Sequence, residues 1–179
     1  MTRPTCIFLL LAACGCGDDD AAPVDNCTGD CVCEINDCTC EDDCHLNCGD
    51  ADCSLTCAPG AKCNADSTAS VVIDCAEGSE CKGNAGDGSQ INCHGSTKCE
   101  LKAGAECVAT CSDGADCKLD LGPRSAVTCN DTSICDINCD GDCAVTCQPT
   151  ATCNLNCGPE DAGVAGTECP DGRLVCGAC

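Results

Sequence analysis

Cysteine carries most of the chemistry this chain can offer, and its placement allows metal ligation, disulfide formation or covalent modification. Thirty of the 179 residues are Cys. Cys14-Gly15-Cys16, Cys31-Val32-Cys33 and Cys38-Thr39-Cys40 are Cys-x-Cys pairs, Cys176-Gly177-Ala178-Cys179 is a Cys-x2-Cys, and His45 and His94 each follow a cysteine. Thiolates and imidazoles at such spacings suit soft metal ions. A thiolate cluster has no use for a long regular period, however, and the central cysteines have one. Cys57, Cys75, Cys93, Cys111, Cys129 and Cys147 recur every 18 residues, and Cys63, Cys81, Cys99, Cys117, Cys135 and Cys153 follow each by six. That register favours disulfides over ligands, so no metal site and no cofactor are expected.

Positions can be numbered by offset from each cysteine of the first series. Apolar residues fall at offset eight (Ala65, Leu101, Leu119, Ile137, Leu155) and offset sixteen (Ile73, Ile91, Ala109, Val127, Val145). Offsets six, eight and ten therefore alternate inward as one strand, and fourteen, sixteen and the next zero as another. Between them lie a five-residue corner such as Ala58-Pro59-Gly60-Ala61-Lys62 and a three-residue corner such as Asp140-Gly141-Asp142, both rich in turn formers. A unit this small cannot bury its own face, so the copies must stack. The expected fold is all-β: a parallel two-sheet β-solenoid of about seven 18-residue coils, roughly 34 Å long at the ordinary strand spacing.

In such a coil the two cysteines of each Cys-x5-Cys face each other across the long corner, close enough for an intracoil bridge only if the sheets approach closely. Small residues at offset four (Ala61, Ser79, Thr97, Ala115, Ser133, Ala151) fit that demand, as does Phe8 being the only aromatic. Cys38 with Cys44 imitates the same interval in an earlier, less regular turn. Cys48 with Cys53, and Cys139 with Cys143, can bridge the short corner. Cys107 has Ala103 across its short corner and is either free or irregularly paired. Removal of Cys6 and modification of Cys14 would leave 28 cysteines, an even number that permits complete pairing.

Outward positions support the register. Offset five reads Lys62, Glu80, Lys98, Asp116, and offset seven reads Lys82, Glu100, Lys118, Asp136, so the sign alternates between stacked neighbours. The formal net charge of −22 sets nucleic-acid binding aside, because phosphates call for clustered Lys and Arg. Ser, Asp and His follow repeat position rather than gathering, and no catalytic residues are assigned.

Residues 1–13 contain Arg3 and the apolar run Ile7-Phe8-Leu9-Leu10-Leu11-Ala12-Ala13, too short to span a bilayer and read as a signal peptide. Leu11-Ala12-Ala13-Cys14 resembles the lipobox of bacterial lipoproteins. The resemblance implies lipidation of Cys14 and membrane attachment through the lipid, and Gly15 rather than Asp after it implies the outer membrane. Residues 14–26 would be an acidic tether, 27–37 an irregular cysteine-rich cap, 38–157 the solenoid and 158–179 a disulfide-tied C-terminal cap.

The Cys-x5-Cys coil resembles beetle antifreeze solenoids in scaffold only, since those have 12-residue coils with two ranks of Thr; here one rank is partial (Thr56, Thr110, Thr128, Thr146). Left-handed hexapeptide β-helices, three-sided with the same coil length, are the alternative architecture. Calcium β-rolls share the coil length but carry Gly-Gly-x-Gly-x-Asp corners absent here. Asp136-Ile137-Asn138-Cys139-Asp140-Gly141 matches the start of an EF-hand loop but has Cys147 at its twelfth position. The expectation is a non-enzymatic, membrane-anchored structural or interaction lipoprotein of a bacterial envelope, with an unidentified envelope or extracellular protein or glycan as partner. A metal- or calcium-binding protein is the alternative, followed by an ice-binding protein or adhesin.

Overall fold

The computed structural model describes residues 27–49, 52–158 and 163–179. Cys14 and the rest of the expected signal peptide and tether lie outside them. The described chain is built from strands: β1 (Cys27–Glu34), β2 (Asp37–Gly49), β3 (Cys53–Cys57), β4 (Lys62–Ser67), β5 (Val71–Cys75), β6 (Glu80–Ala85), β7 (Gln90–Cys93), β8 (Lys98–Ala103), β9 (Val108–Cys111), β10 (Asp116–Leu121), β11 (Ala126–Cys129), β12 (Ile134–Cys139), β13 (Ala144–Cys147), β14 (Thr152–Cys157), β15 (Val164–Ala165), β16 (Thr167–Glu168) and β17 (Arg173–Val175).

Two parallel ladders run the length of the molecule. β4, β6, β8, β10, β12 and β14 stack in one, with Cys63 on Cys81 on Cys99 and so on. β3, β5, β7, β9, β11 and β13 stack in the other. β2 heads both, pairing Asp37–Cys40 with β3 and Asp43–Gly49 with β4. Each coil therefore has two strands rather than the three of the alternative β-helix.

Side-chain alternation on each strand decides what fills the interior. Leu46, Leu55, Ile73, Ile91, Leu101, Leu119, Val127, Ile137 and Val145 are buried in two ranks, one from each ladder, with bridged cysteines beside them. Gly83 takes the inward offset-eight place in its coil at φ 126°, where a Cβ would overlap the Ala65 carbonyl. Only Gly tolerates that approach. Long corners close with a repeated turn hydrogen bond: the N–H of Ala61, Ser79, Ala115, Ser133 and Ala151 donates to the carbonyl three residues earlier. At the short corners Gly88, Glu106 and Arg124, equivalent by offset, all have positive φ.

Both ends of the stack are covered. β1 runs antiparallel along β2, covering the first strand of both ladders. At the other end β15 lies antiparallel on β14 and β17 on β13, with β16 paired outside β17. Ala144–Thr146 of β13 and Asn156–Cys157 of β14 are thereby paired rather than left as an edge that could recruit another chain.

Candidate functional site

The structure pairs Cys57 with Cys63, Cys75 with Cys81, Cys93 with Cys99, Cys111 with Cys117, Cys129 with Cys135 and Cys147 with Cys153. Their Cα separations run from 6.2 to 6.7 Å, inside the range a disulfide spans. Sulfurs of neighbouring coils come within 4.8 Å of one another, as in the group Cys75, Cys81 and Cys99. Proximity of this kind would suit a metal ion, but sulfurs already joined in disulfides are not thiolate ligands. Cys48–Cys53 and Cys139–Cys143 bridge short corners, and Cys157–Cys176 and Cys169–Cys179 tie the C-terminal segment.

One expected pair is corrected. Cys38 does not bond to Cys44: Cys33 takes Cys38 and Cys31 takes Cys44, both from β1. The register gives the reason. Cys40, not Cys38, stacks on Cys57, while Cys38 stacks on Leu55 at an inward apolar place. Only Glu41, Asp42 and Asp43 separate Cys40 from Cys44, so β2 passes through where the other coils have a five-residue corner. The cap then uses the sulfurs that this compressed coil offers it.

Complete pairing also fails: Cys40 and Cys107 are free and buried. Burial pushes the Cys40 thiol up to about 11, with nearby Asp43, Asp42 and Asp30 adding to the shift against a lowering hydrogen bond at Asp42. Burial likewise raises Cys107. Neither thiol is poised as a nucleophile, which needs thiolate and exposure. Cys107 behaves as a serine. Ser89 and Ser125 stand at its offset in the flanking coils, and each donates its hydroxyl to the carbonyl three residues earlier (Gly86 and Gly122, 2.7 and 2.8 Å). Each also accepts an N–H from the preceding coil, Val71 and Cys107 respectively, at 3.1 Å. Cys107 Sγ donates to Gly104 O at 3.2 Å and accepts a backbone hydrogen bond from Ser89.

The outward side of the β4–β14 ladder carries three columns of polar side chains. Lys82 lies 2.8 Å from Glu80 on its own strand and 3.3 Å from Glu100 in the next coil, and Lys118 lies 3.9 Å from Glu100. These contacts lower the Glu80 pKa and raise that of Lys82. A third column, absent from the sequence expectation, runs through offset nine. Asn84 donates to Asp66 at 2.7 Å, Lys102 pairs with Asp120 at 3.1 Å, and Asn138 donates to Asp120 at 2.8 Å. Its signal was available, since Asp66, Asn84, Lys102, Asp120, Asn138 and Asn156 share that offset.

A further grouping was not anticipated. His94 Nδ1 is 3.2 Å from Ser112 Oγ, and His94 Nε2 is 3.2 Å from Asp74 Oδ1. His94 and Ser112 share offset one in adjacent coils, which is why they meet. Ser112 donates its hydroxyl to Asp113 at 3.2 Å. A catalytic triad needs that proton directed at the imidazole, which in turn must be oriented by the carboxylate. All three side chains stand on an open corner, about half exposed in the case of His94 and Asp74.

No family model, curated protein or solved structure matches this chain. The fold alone defines the class: a disulfide-stapled, two-sided parallel β-solenoid, with twelve bridges among the described residues. Such a density of disulfides fits an oxidising, extracytoplasmic or secreted setting.

Proposed function

We propose that this protein is a non-enzymatic structural or interaction lipoprotein of a bacterial envelope, held to the outer membrane by lipid on Cys14. The observation that carries the reading is the stapled coil itself, whose inward side chains serve stacking and bridging. Leu11-Ala12-Ala13-Cys14, following the apolar run from Ile7, supports the anchor. Lipid on that cysteine would supply more than one acyl chain, as stable attachment requires. An acidic tether would then hold the rod off the membrane. Mass spectrometry of the mature N-terminus tests the anchor: a diacylglycerol-modified Cys14 is expected, and loss of membrane association in Cys14→Ala. An unmodified Cys14 on the purified native protein overturns it.

Against this stands one observation on the side of catalysis, the Ser112–His94–Asp74 contacts. Hydrolysis of a chromogenic ester by the purified protein, abolished in both His94→Ala and Ser112→Ala, would replace the structural reading with an enzymatic one. Retention of any background rate in both variants is the expected result. The metal-binding alternative rests on the acidic surface. Equilibrium dialysis against calcium and zinc should find no stoichiometric tight site, and one saturating ion per chain would restore that alternative.

A further inference from the structure

The three outward columns of the β4–β14 ladder form a face unlike the rest of the molecule in charge. It holds Lys62, Lys82, Lys98, Lys102 and Lys118, five of the chain's eight Lys and Arg, against Asp66, Glu80, Glu100, Asp116, Asp120 and Asp136. The net charge of −22 therefore lies almost wholly elsewhere. Two copies of an anionic rod meet with least repulsion through a balanced face.

We propose that this face docks against the same face of a second copy, the two rods antiparallel about a two-fold axis that runs along the strands between β8 and β10. That axis exchanges β8 with β10, β6 with β12 and β4 with β14. In the first column Lys98 meets the partner's Asp116. In the second, Lys82 meets the partner's Asp136 and Glu100 meets the partner's Lys118. In the third, Lys102 meets the partner's Asp120, and Asn84 meets the partner's Asn138. The remaining charges, Lys62, Glu80 and Asp66, face the partner's Thr152, Ile134 and Asn156, none of them charged. Each charged contact is of opposite sign, and the two-fold repeats each one.

The other isologous arrangement is rejected by the same residues. An axis parallel to the stack sets every coil against itself, so Lys82 would face the partner's Lys82 and Glu100 the partner's Glu100. Lys98 would then face the partner's Lys102, and Asp116 the partner's Asp120. The pattern thus selects one orientation as well as permitting contact. Six strands of six residues offer a face of about 20 by 29 Å, or roughly 1,100–1,200 Å² over both partners, at the lower end of specific interfaces. The dimer is accordingly reversible and sensitive to salt.

Sedimentation equilibrium on the full chain with its disulfides formed tests this. A dimer is expected at about 150 mM salt, where screening over about 8 Å damps the repulsion between the two net charges but spares contact pairs, and it should dissociate at about 500 mM, where screening reaches the pairs as well. Lys82→Glu places like charge opposite the partner's Asp136 and should weaken dimerisation about tenfold or more. Lys82→Glu combined with Asp136→Lys should recover it. Positions 82 and 136 lie three coils apart and do not touch within one chain, so a purely intramolecular role for the ladder predicts no recovery. A protein monomeric at about 150 mM salt, a dimer unmoved by Lys82→Glu, or failure of the double variant to rescue while circular dichroism remains native would each overturn the proposal.

Discussion

Every coil turns two corners, and the molecule closes them differently. From Cys57 to Cys153 the long corner is closed covalently in each of six coils. The short corner is bridged only near the two ends, by Cys48–Cys53 and Cys139–Cys143. Between those bridges the same offset holds Val71, Ser89, Cys107 and Ser125, and the serines and Cys107 link coil to coil by hydrogen bonds through side chain and backbone. The Cα separations show that both corners impose much the same gap, 6.1 and 6.3 Å at the bridged short corners against 6.2 to 6.7 Å at the long ones. A hydrogen-bonded zipper suffices where each strand has neighbours on both sides. Covalent closure replaces it towards the ends, where opening costs least.

Reduction should separate the two kinds of corner most clearly. With every bridge open, the two aliphatic ranks should not hold the sheets together, because each intracoil disulfide contributes about 2 kcal/mol through the unfolded state. Far-ultraviolet circular dichroism of the reduced protein should show the strand signal lost; retention of it would make the short-corner zipper and the aliphatic ranks the principal source of stability. Removing a single mid-stack bridge with Cys93→Ala and Cys99→Ala should cost about 2 kcal/mol in urea denaturation. A negligible cost would show that long and short corners do not differ energetically.

At the short corner, Ser125→Ala leaves the buried N–H of Cys107 without its acceptor. A loss of about 1–2 kcal/mol in the same denaturation measurement is expected. The Cys40 thiol adds a pH dependence. Its folded pKa lies near 11 against an ordinary 9.0, so the native state holds the proton more tightly. Its contribution is whole below pH 9 and is lost as pH rises towards 11. Maleimide labelling of the native protein near neutral pH should therefore mark neither Cys40 nor Cys107, and labelling of both should appear with unfolding. Smallest of all is Cys107→Ser, which substitutes the residue found one coil above and below. Its stability should change by no more than about 0.5 kcal/mol.

What could be read from the sequence depended on whether a residue obeyed the period. Cys57 to Cys153 could be placed, bridged and oriented because an 18-residue repeat turns offset into position, and the alternation at offsets eight and sixteen identified the inward side of both strands. At Cys38 the offset points to the wrong partner, because the coil below Cys57 lacks part of its long corner and the count runs through that deletion. Once Cys40 is recognised as the stacking partner of Cys57, the pairings of Cys31 and Cys33 follow from the antiparallel cap, which no repeat could announce. Cys107 was legible as an exception but not as a serine substitute, since its role depends on hydrogen bonds to Ser89 and Ser125 in other coils. His94 and Ser112 share an offset and were readable as neighbours. The approach of Asp74 required knowing how the chain enters the corner.

The alternation of charge along the β4–β14 ladder limits how this molecule could change its length. Each coil adds about 4.8 Å and, geometrically, a middle one could be deleted with caps and core ranks preserved. Excising the coil that carries Lys98 and Glu100 would, however, set Glu80 against Asp116 and Lys82 against Lys118 on adjacent strands, with like charges in contact. Excising that coil together with the next, which carries Asp116 and Lys118, instead sets Lys82 against Asp136 and Asn84 against Asn138, with no like charges in contact. At this place the rod therefore changes length in steps of two coils, about 9.6 Å, twice the repeat that its cysteines mark.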